Sequence, residues 1–347
     1  MRHVNIPVFI PHLGCPNQCV FCNQRTISGV REFDPSSVDG FIENALSTVS
    51  GDCETQLAFF GGSFTGIDRR LMISLLETAN KYIKQGRIKS IRISTRPDYI
   101  NEEILDILKQ YNVTCVELGL QSASDRVLAA CRRGHTYNDE VRACSLIMAR
   151  GLTLGGQMMI GLPGSTEEDE IETAKFIVRS GAREARIYPT VVFRDTELCS
   201  MAEHGDYKPL TVDEAVRRST SALKILRDGG VRVLRIGLCS SDNLSSDETY
   251  FAGPNAPAIG EMCEGELIYR RILAETETAD KGGRLNIRVP AGSMSRAVGY
   301  KRGNYLRLKE IFLGGVNIKE DPDLCAGDLR VTVTPITLSE RTDRICT

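Results

Sequence analysis

An apolar run, a loop bearing glycine or proline, and an amphipathic helix recur in that order through most of the chain. The apolar runs stand at 4–10, 56–60, 88–94, 115–120, 154–160 and 184–188, with one more candidate strand at 231–236. Helical periodicity lies between them, at about 34–49, 68–85, 102–111, 125–132, 138–150, from 165, and at 212–228. Asp34-Pro35 and Ser165-Thr166-Glu167-Glu168 carry the caps and first-turn acids of helix starts. Strands that alternate with helices must lie parallel, because each helix returns the chain to the same edge of the sheet. Six such units predict an α/β fold, a partial (β/α)6 TIM-like barrel. The rhythm ends near Cys239-Ser240-Ser241-Asp242. The expected division is therefore a core at 1–242 and a smaller C-terminal α+β appendage at 243–347, with one clear helix around 260–276.

The 347 residues suffice for one large and one small domain. A net charge of −2 gives the whole molecule no general attraction for polyanions, so any such partner must meet a local patch. The 12 cysteines would suggest disulfides in a secreted chain. Residues 4–10 are too short for a signal sequence and are interrupted by Pro7. No stretch reaches the roughly 20 apolar residues of a membrane span. The expectation is a reduced, cytoplasmic protein with no membrane partner.

Cys15, Cys19 and Cys22 fall in the loop that leaves the first strand, with Phe21 just before the third. Barrels place their chemistry on such loops. Three clustered thiols suit soft metal ions and iron–sulfur clusters. A zinc site would want a fourth ligand, and the candidates His12 and Cys53 stand in no second compact pair. A four-iron cluster on three thiolates leaves one iron open to a small chelating ligand. Gly61, Gly62 and Ser63 follow the second strand, and glycine lets backbone approach a ligand closely; a plain turn is the competing reading. Ser94, with Thr95 and Arg96, ends the third strand, and Gln121 and Ser122 end the fourth; they could hold ribose or substrate. Arg133 could grip a carboxylate or be a solvated helix-end arginine. Gln157 lies inside an apolar strand and needs a partner, either a ligand hydroxyl or a core network. Tyr188 ends the sixth strand, beside a ligand or in the core.

The cysteine triplet with Phe21 closely resembles the motif of the radical S-adenosylmethionine superfamily. That resemblance implies a [4Fe–4S] cluster on Cys15, Cys19 and Cys22, and S-adenosylmethionine on its open iron. It implies reductive cleavage of that cofactor to a 5′-deoxyadenosyl radical, and an electron donor such as flavodoxin or ferredoxin. It also implies that Gly61-Gly62 contacts the methionyl amino group. Thr95-Arg96-Pro97-Asp98-Tyr99, Glu117 to Ser122, Arg133-Gly134-His135-Thr136, and Tyr188-Pro189-Thr190 with Arg194 together resemble the radical domain of the Elongator catalytic subunit. That family modifies the wobble uridine of tRNA. Two departures stand out. Three residues separate Cys15 from Cys19, where Elongator subunits have a longer gap. The residues after 243 are too few for the Elongator acetyltransferase domain. The Gln121-Ser122 and Gly161-Leu162-Pro163-Gly164 loops resemble the oxygen-independent coproporphyrinogen oxidases, so a porphyrinogen substrate stays open.

Between Arg284 and Lys309 seven cations run without an acid, interleaved with Tyr300 and Tyr305. Such a stretch can bind tRNA, or be a solvated face paired to Glu261, Glu264 and Glu266. Cys115, Cys131, Cys144, Cys199 and Cys239 are expected to fill the core. A second cluster drawn from Cys199, Cys239, Cys263, Cys325 and Cys346 is not expected. A non-catalytic iron–sulfur sensor or RNA-binding protein is the alternative outside enzymes.

Overall fold

The computed structural model describes residues 2–10, 13–15, 19–23, 33–50, 53–239, 246 and 248–335. Seven strands form one sheet: β1 (Arg2–Phe9), β2 (Cys53–Phe60), β3 (Ser90–Thr95), β4 (Val113–Gln121), β5 (Thr153–Ile160), β6 (Glu184–Pro189) and, after the short β7 (Val192–Phe193), β8 (Arg232–Ile236). Every neighbouring pair is parallel, and spatial order follows chain order. Order without reversal is the winding of a barrel rather than of a doubly wound sheet. The partial barrel expected from the sequence is the fold observed, and the 231–236 run is its last strand.

Local chemistry explains the crossovers. Asp68 and Asn101 accept backbone N–H groups at the starts of helices Arg69–Lys84 and Glu102–Gln110. Thr136 with Asp139, Thr166 with Asp169, and Thr211 with Glu214 form reciprocal capping boxes on helices Tyr137–Ala149, Glu167–Arg179 and Val212–Asp228. Helix Glu197–His204 was not anticipated. It is short and buries only Leu198 and Cys199, too few positions for a periodic signal.

The chain divides into two compact units, Met1–Pro257 and Ala258–Thr347. The division falls later than position 242 because β9 (Tyr250–Ala252) pairs antiparallel with β7 and so belongs to the first unit. In the second unit, β10 (Arg284–Val289) runs parallel to β11 (Val316–Glu320) and antiparallel to β12 (Arg330–Thr334). Helices Ile259–Glu275, Met294–Val298 and Gly303–Ile311 accompany this sheet. Its core holds Tyr269, Ile272, Leu285, Ile287, Val289, Leu308 and Phe312.

Candidate cofactor site at the cysteine loop

The loops after β1 and β2 interlock backbone on backbone. The Ser63 N–H donates to the Leu13 carbonyl at 3.2 Å. A Cβ on Gly62 would stand 2.3 Å from that carbonyl oxygen, and a Cβ on Gly14 would stand 2.2 Å from the Ser63 carbonyl. Gly61, at φ +107°, holds a conformation that side chains resist. The glycine pair therefore seats the segment that delivers Cys15. Farther on, the Cys22 N–H donates to the Cys19 carbonyl, and Val20 exchanges backbone bonds with Cys131 and Leu198. Val20 sits in an apolar cluster with Val127, Leu162, Leu198 and Tyr207, and Phe21 packs against it. Cys19 is buried, while Cys15 and Cys22 are partly exposed.

Two arginines lie beside these thiols. Arg133 donates through Nη1 to Cys19 Sγ at 3.3 Å and through Nη2 to the Gly119 carbonyl at 2.7 Å. Arg96 is forked on Asp98, with both bonds at 2.9 Å. Burial pushes the Cys15 thiol up, and the charges of Arg133 and Arg96 oppose that shift. Gln121, at φ +73°, occupies a register irregularity of β4. Its side chain and that of Arg133 lie over Gly119, where a Cβ would meet them at 3.0 and 2.8 Å. Arg133 Nε, Arg96 Nη1 and Gln121 Oε1 are buried without a partner. A buried polar atom left unmatched costs about 1–3 kcal/mol, so two donors and one acceptor around one set of thiols fit a polar ligand that carries both an anionic acceptor and a donor group. Among the described residues no three His, Cys, Asp or Glu side chains converge on one point, as a single-ion site requires.

A charged row crosses the sheet next to these groups. Glu117 accepts from Arg92 Nη1 at 2.7 Å, from Arg186 Nε at 2.7 Å and from Gln157 Nε2 at 2.9 Å. Arg92 also reaches Glu184 at 2.7 Å. Burial pushes Glu117 up, but the Arg186 and Arg92 guanidiniums outweigh it and hold the carboxyl below its usual range. Gly155 faces Glu117, where a Cβ would come within 2.9 Å of Cγ. Gln157 also donates to Ser94 Oγ at 3.1 Å. Both donated bonds leave through Nε2, so its Oε1 is the group free to accept from another partner. Burial pushes the half-buried Tyr188 phenol up to about 12.

The structure thus brings Cys15, Cys19, Gln121 and Arg133 together, and joins Ser94 to Gln157. Ser63 Oγ bonds Thr95 Oγ1 at 2.8 Å and accepts the Arg96 N–H at 3.2 Å, so it serves the framework. Asp98 and Glu117 stood within the motifs quoted from the sequence but were given no role of their own, and Arg186 was not picked out. For Glu117 and Arg186 a signal was present: single charges of opposite sign inside otherwise apolar strands. Cys115, Cys131, Cys144 and Cys199 are buried, and burial pushes the first three thiols up to about 12. Cys239 is exposed instead, because it lies beyond the end of β8. His12 and Cys346 lie outside the described residues.

A sequence profile described as the Radical SAM superfamily matches residues 9–177, and one described as the Radical_SAM C-terminal domain matches residues 183–269. The chain is 34% identical over 158 residues to a tRNA uridine(34) acetyltransferase of Methanocaldococcus jannaschii, covering 44% of this chain and 29% of that protein. It is 30% identical over 223 residues to an uncharacterized protein of the same organism, covering 60% of this chain and 67% of that protein. The chain thus spans under a third of the acetyltransferase it matches. Among solved structures it resembles an archaeal Methanocaldococcus infernus Elp3 lacking its N-terminus, with a TM-score of 0.60 and 23% identity over 79% of this chain and 63% of that one. Profile, relative and fold agree with the cysteine loop: the chain belongs to the radical SAM superfamily, whose enzymes use a [4Fe–4S] cluster and S-adenosylmethionine.

Proposed function

We propose that this radical SAM enzyme modifies a tRNA nucleoside, in the manner of the Elongator radical domain. The observation that carries the reading is the likeness of its barrel to proteins named tRNA uridine(34) acetyltransferase and Elongator complex protein 3. Cys15, Cys19 and Cys22 are the cluster ligands in this reading. Arg133, Gln121 and the Gly61-Gly62 loop hold the amino-acid end of S-adenosylmethionine, and Ser94, Gln157 and Tyr188 line its ribose and adenine side. The bound cluster and cofactor supply an electron and a 5′-deoxyadenosyl radical. The chain's own residues orient the cofactor and keep water out.

The second unit supports an RNA partner. Arg288, Arg296, Lys301, Arg302 and Lys309 are exposed. None of these five forms an ion pair among the described residues, whereas Arg307 pairs with Glu266 at 2.8 Å. Lys301 and Arg302 are consecutive non-glycine residues at φ +49° and +64°, and such strain persists where the surroundings enforce it. Just after the turn, buried Asn304 donates to the Gly265 carbonyl at 2.8 Å. Tyr300 is 52% exposed beside them, with Lys301 Nζ 5.4 Å from its ring centroid, a cation and an aromatic placed together as a base-stacking site needs.

The test is anaerobic reconstitution with iron and sulfide, reduction, addition of S-adenosylmethionine, and quantification of 5′-deoxyadenosine with and without bulk tRNA. The expected result is production that is lost in Cys19→Ala and rises with tRNA. Production indifferent to tRNA would remove the tRNA substrate and leave a small molecule such as a porphyrinogen. A loaded, reducible cluster that yields none would leave a sensor.

A further inference from the structure

Arg133 and Arg96 flank the same thiols but carry their charges differently. The Arg96 fork is filled by Asp98, so a carboxylate compensates it. Arg133 is buried and donates to a backbone carbonyl and to the Cys19 sulfur. Glu140 is a buried carboxyl close enough to feel the Arg133 charge. It is fully buried and pairs with His135 at 3.0 Å rather than with Arg133, and burial holds its carboxyl well above the usual range. The Arg133 charge is therefore directed at a sulfur that, in the reading above, is a cluster ligand.

We infer that Arg133 sets the reduction potential of the cluster, through a charged N–H···S bond to Cys19. The inference rests on the assignment of Cys15, Cys19 and Cys22 as cluster ligands. Reduction brings in one electron from an external donor and breaks no bond. It makes the cluster and its three thiolates more negative. A buried cation hydrogen-bonded to one thiolate stabilises that reduced state more than the oxidised one. Hydrogen bonds to ligand sulfurs and local charge are among the main levers on such potentials. The same guanidinium also has an unpartnered Nε. It can thus serve the cofactor carboxylate while remaining on the sulfur, so ligand grip and cluster potential pass through one side chain.

The experiment is an anaerobic redox titration of the reconstituted protein without S-adenosylmethionine, with the reduced cluster read by electron paramagnetic resonance. Omitting the cofactor separates this role from carboxylate binding. At the potential where the wild-type cluster is half reduced, Arg133→Met should lower the ratio of reduced to oxidised cluster at least tenfold. That is a shift of about 59 mV to more negative potential for a one-electron couple. Arg132→Met should leave the ratio unchanged, because Arg132 is exposed and pairs with Glu197. Should Arg133→Met fail to load, Arg133→Lys is titrated instead. It keeps the charge and loses the planar fork, and should give a smaller shift of the same sign. An unchanged ratio in a fully loaded Arg133 variant would overturn the inference and leave the cluster assignment intact. A wild-type protein that binds no four-iron cluster, by iron content and spectrum, would overturn the assignment itself.

Discussion

His135 and Glu140 form a fully buried pair in which burial favours the neutral state of both. Burial pushes the imidazole from 6.5 down to about 3 and holds the carboxyl well above 4.5. The unfolded chain carries an ionised Glu140 above pH 4.5 and a protonated His135 below pH 6.5. Between those values the folded and unfolded states bind equal numbers of protons from this pair, and its contribution is level. Above pH 6.5 the unfolded chain has lost both protons, and the raised Glu140 carboxyl makes the folded state the better proton binder until pH passes that group's folded-state value. Stability then falls as pH rises, by up to about 1.4 kcal/mol per unit. Below pH 4.5 the unfolded chain binds one more proton than the folded state, and stability falls as pH falls toward 3. Glu140→Gln mimics the protonated acid. Urea unfolding of this variant should show no alkaline decline from this site between pH 6.5 and 8. Destabilisation at every pH would instead identify an ion pair.

Among the elements, the interlocked loops and the charged row make separate predictions. Gly62→Ala places a methyl group 2.3 Å from the Leu13 carbonyl and must push back the segment leading to Cys15. Iron content after reconstitution should fall several-fold, while far-ultraviolet circular dichroism stays unchanged. Wild-type iron loading would show that the loop gives way without cost. Glu117 is 1% exposed and anchors Arg92, Arg186 and Gln157 from three neighbouring strands. Glu117→Gln leaves Arg186 without a carboxylate and Arg92 with Glu184 alone, and should cost about 3 kcal/mol in urea unfolding. A loss under 1 kcal/mol would mean that water or Glu184 takes over the compensation.

For the molecule as a whole, net charge near zero means that any grip on RNA must come from a patch. If the Lys301-Arg302 turn contacts phosphate, Arg302→Glu weakens tRNA binding and flattens the dependence of log Kd on log salt by about one. Filter binding over a salt series would show this, and an unchanged slope would remove the turn from the interface.

The sequence by itself determined the parallel barrel, the cysteine loop and the family. All three rest on local order: strand and helix periods, caps, and thiol spacing are written within a few residues of one another. Gln121, Gln157 and Arg133 were also legible, as polar residues at a strand end, inside an apolar strand and just past a helix. Only the tertiary structure decided what those side chains touch. Arg133 meets Cys19 across 114 residues of chain, and Arg186 meets Glu117 across 69. Contacts of that separation are created by strand order and register, which no local pattern encodes. The same reason places β9 in the first unit: its partner β7 is set by pairing and not by proximity in the chain.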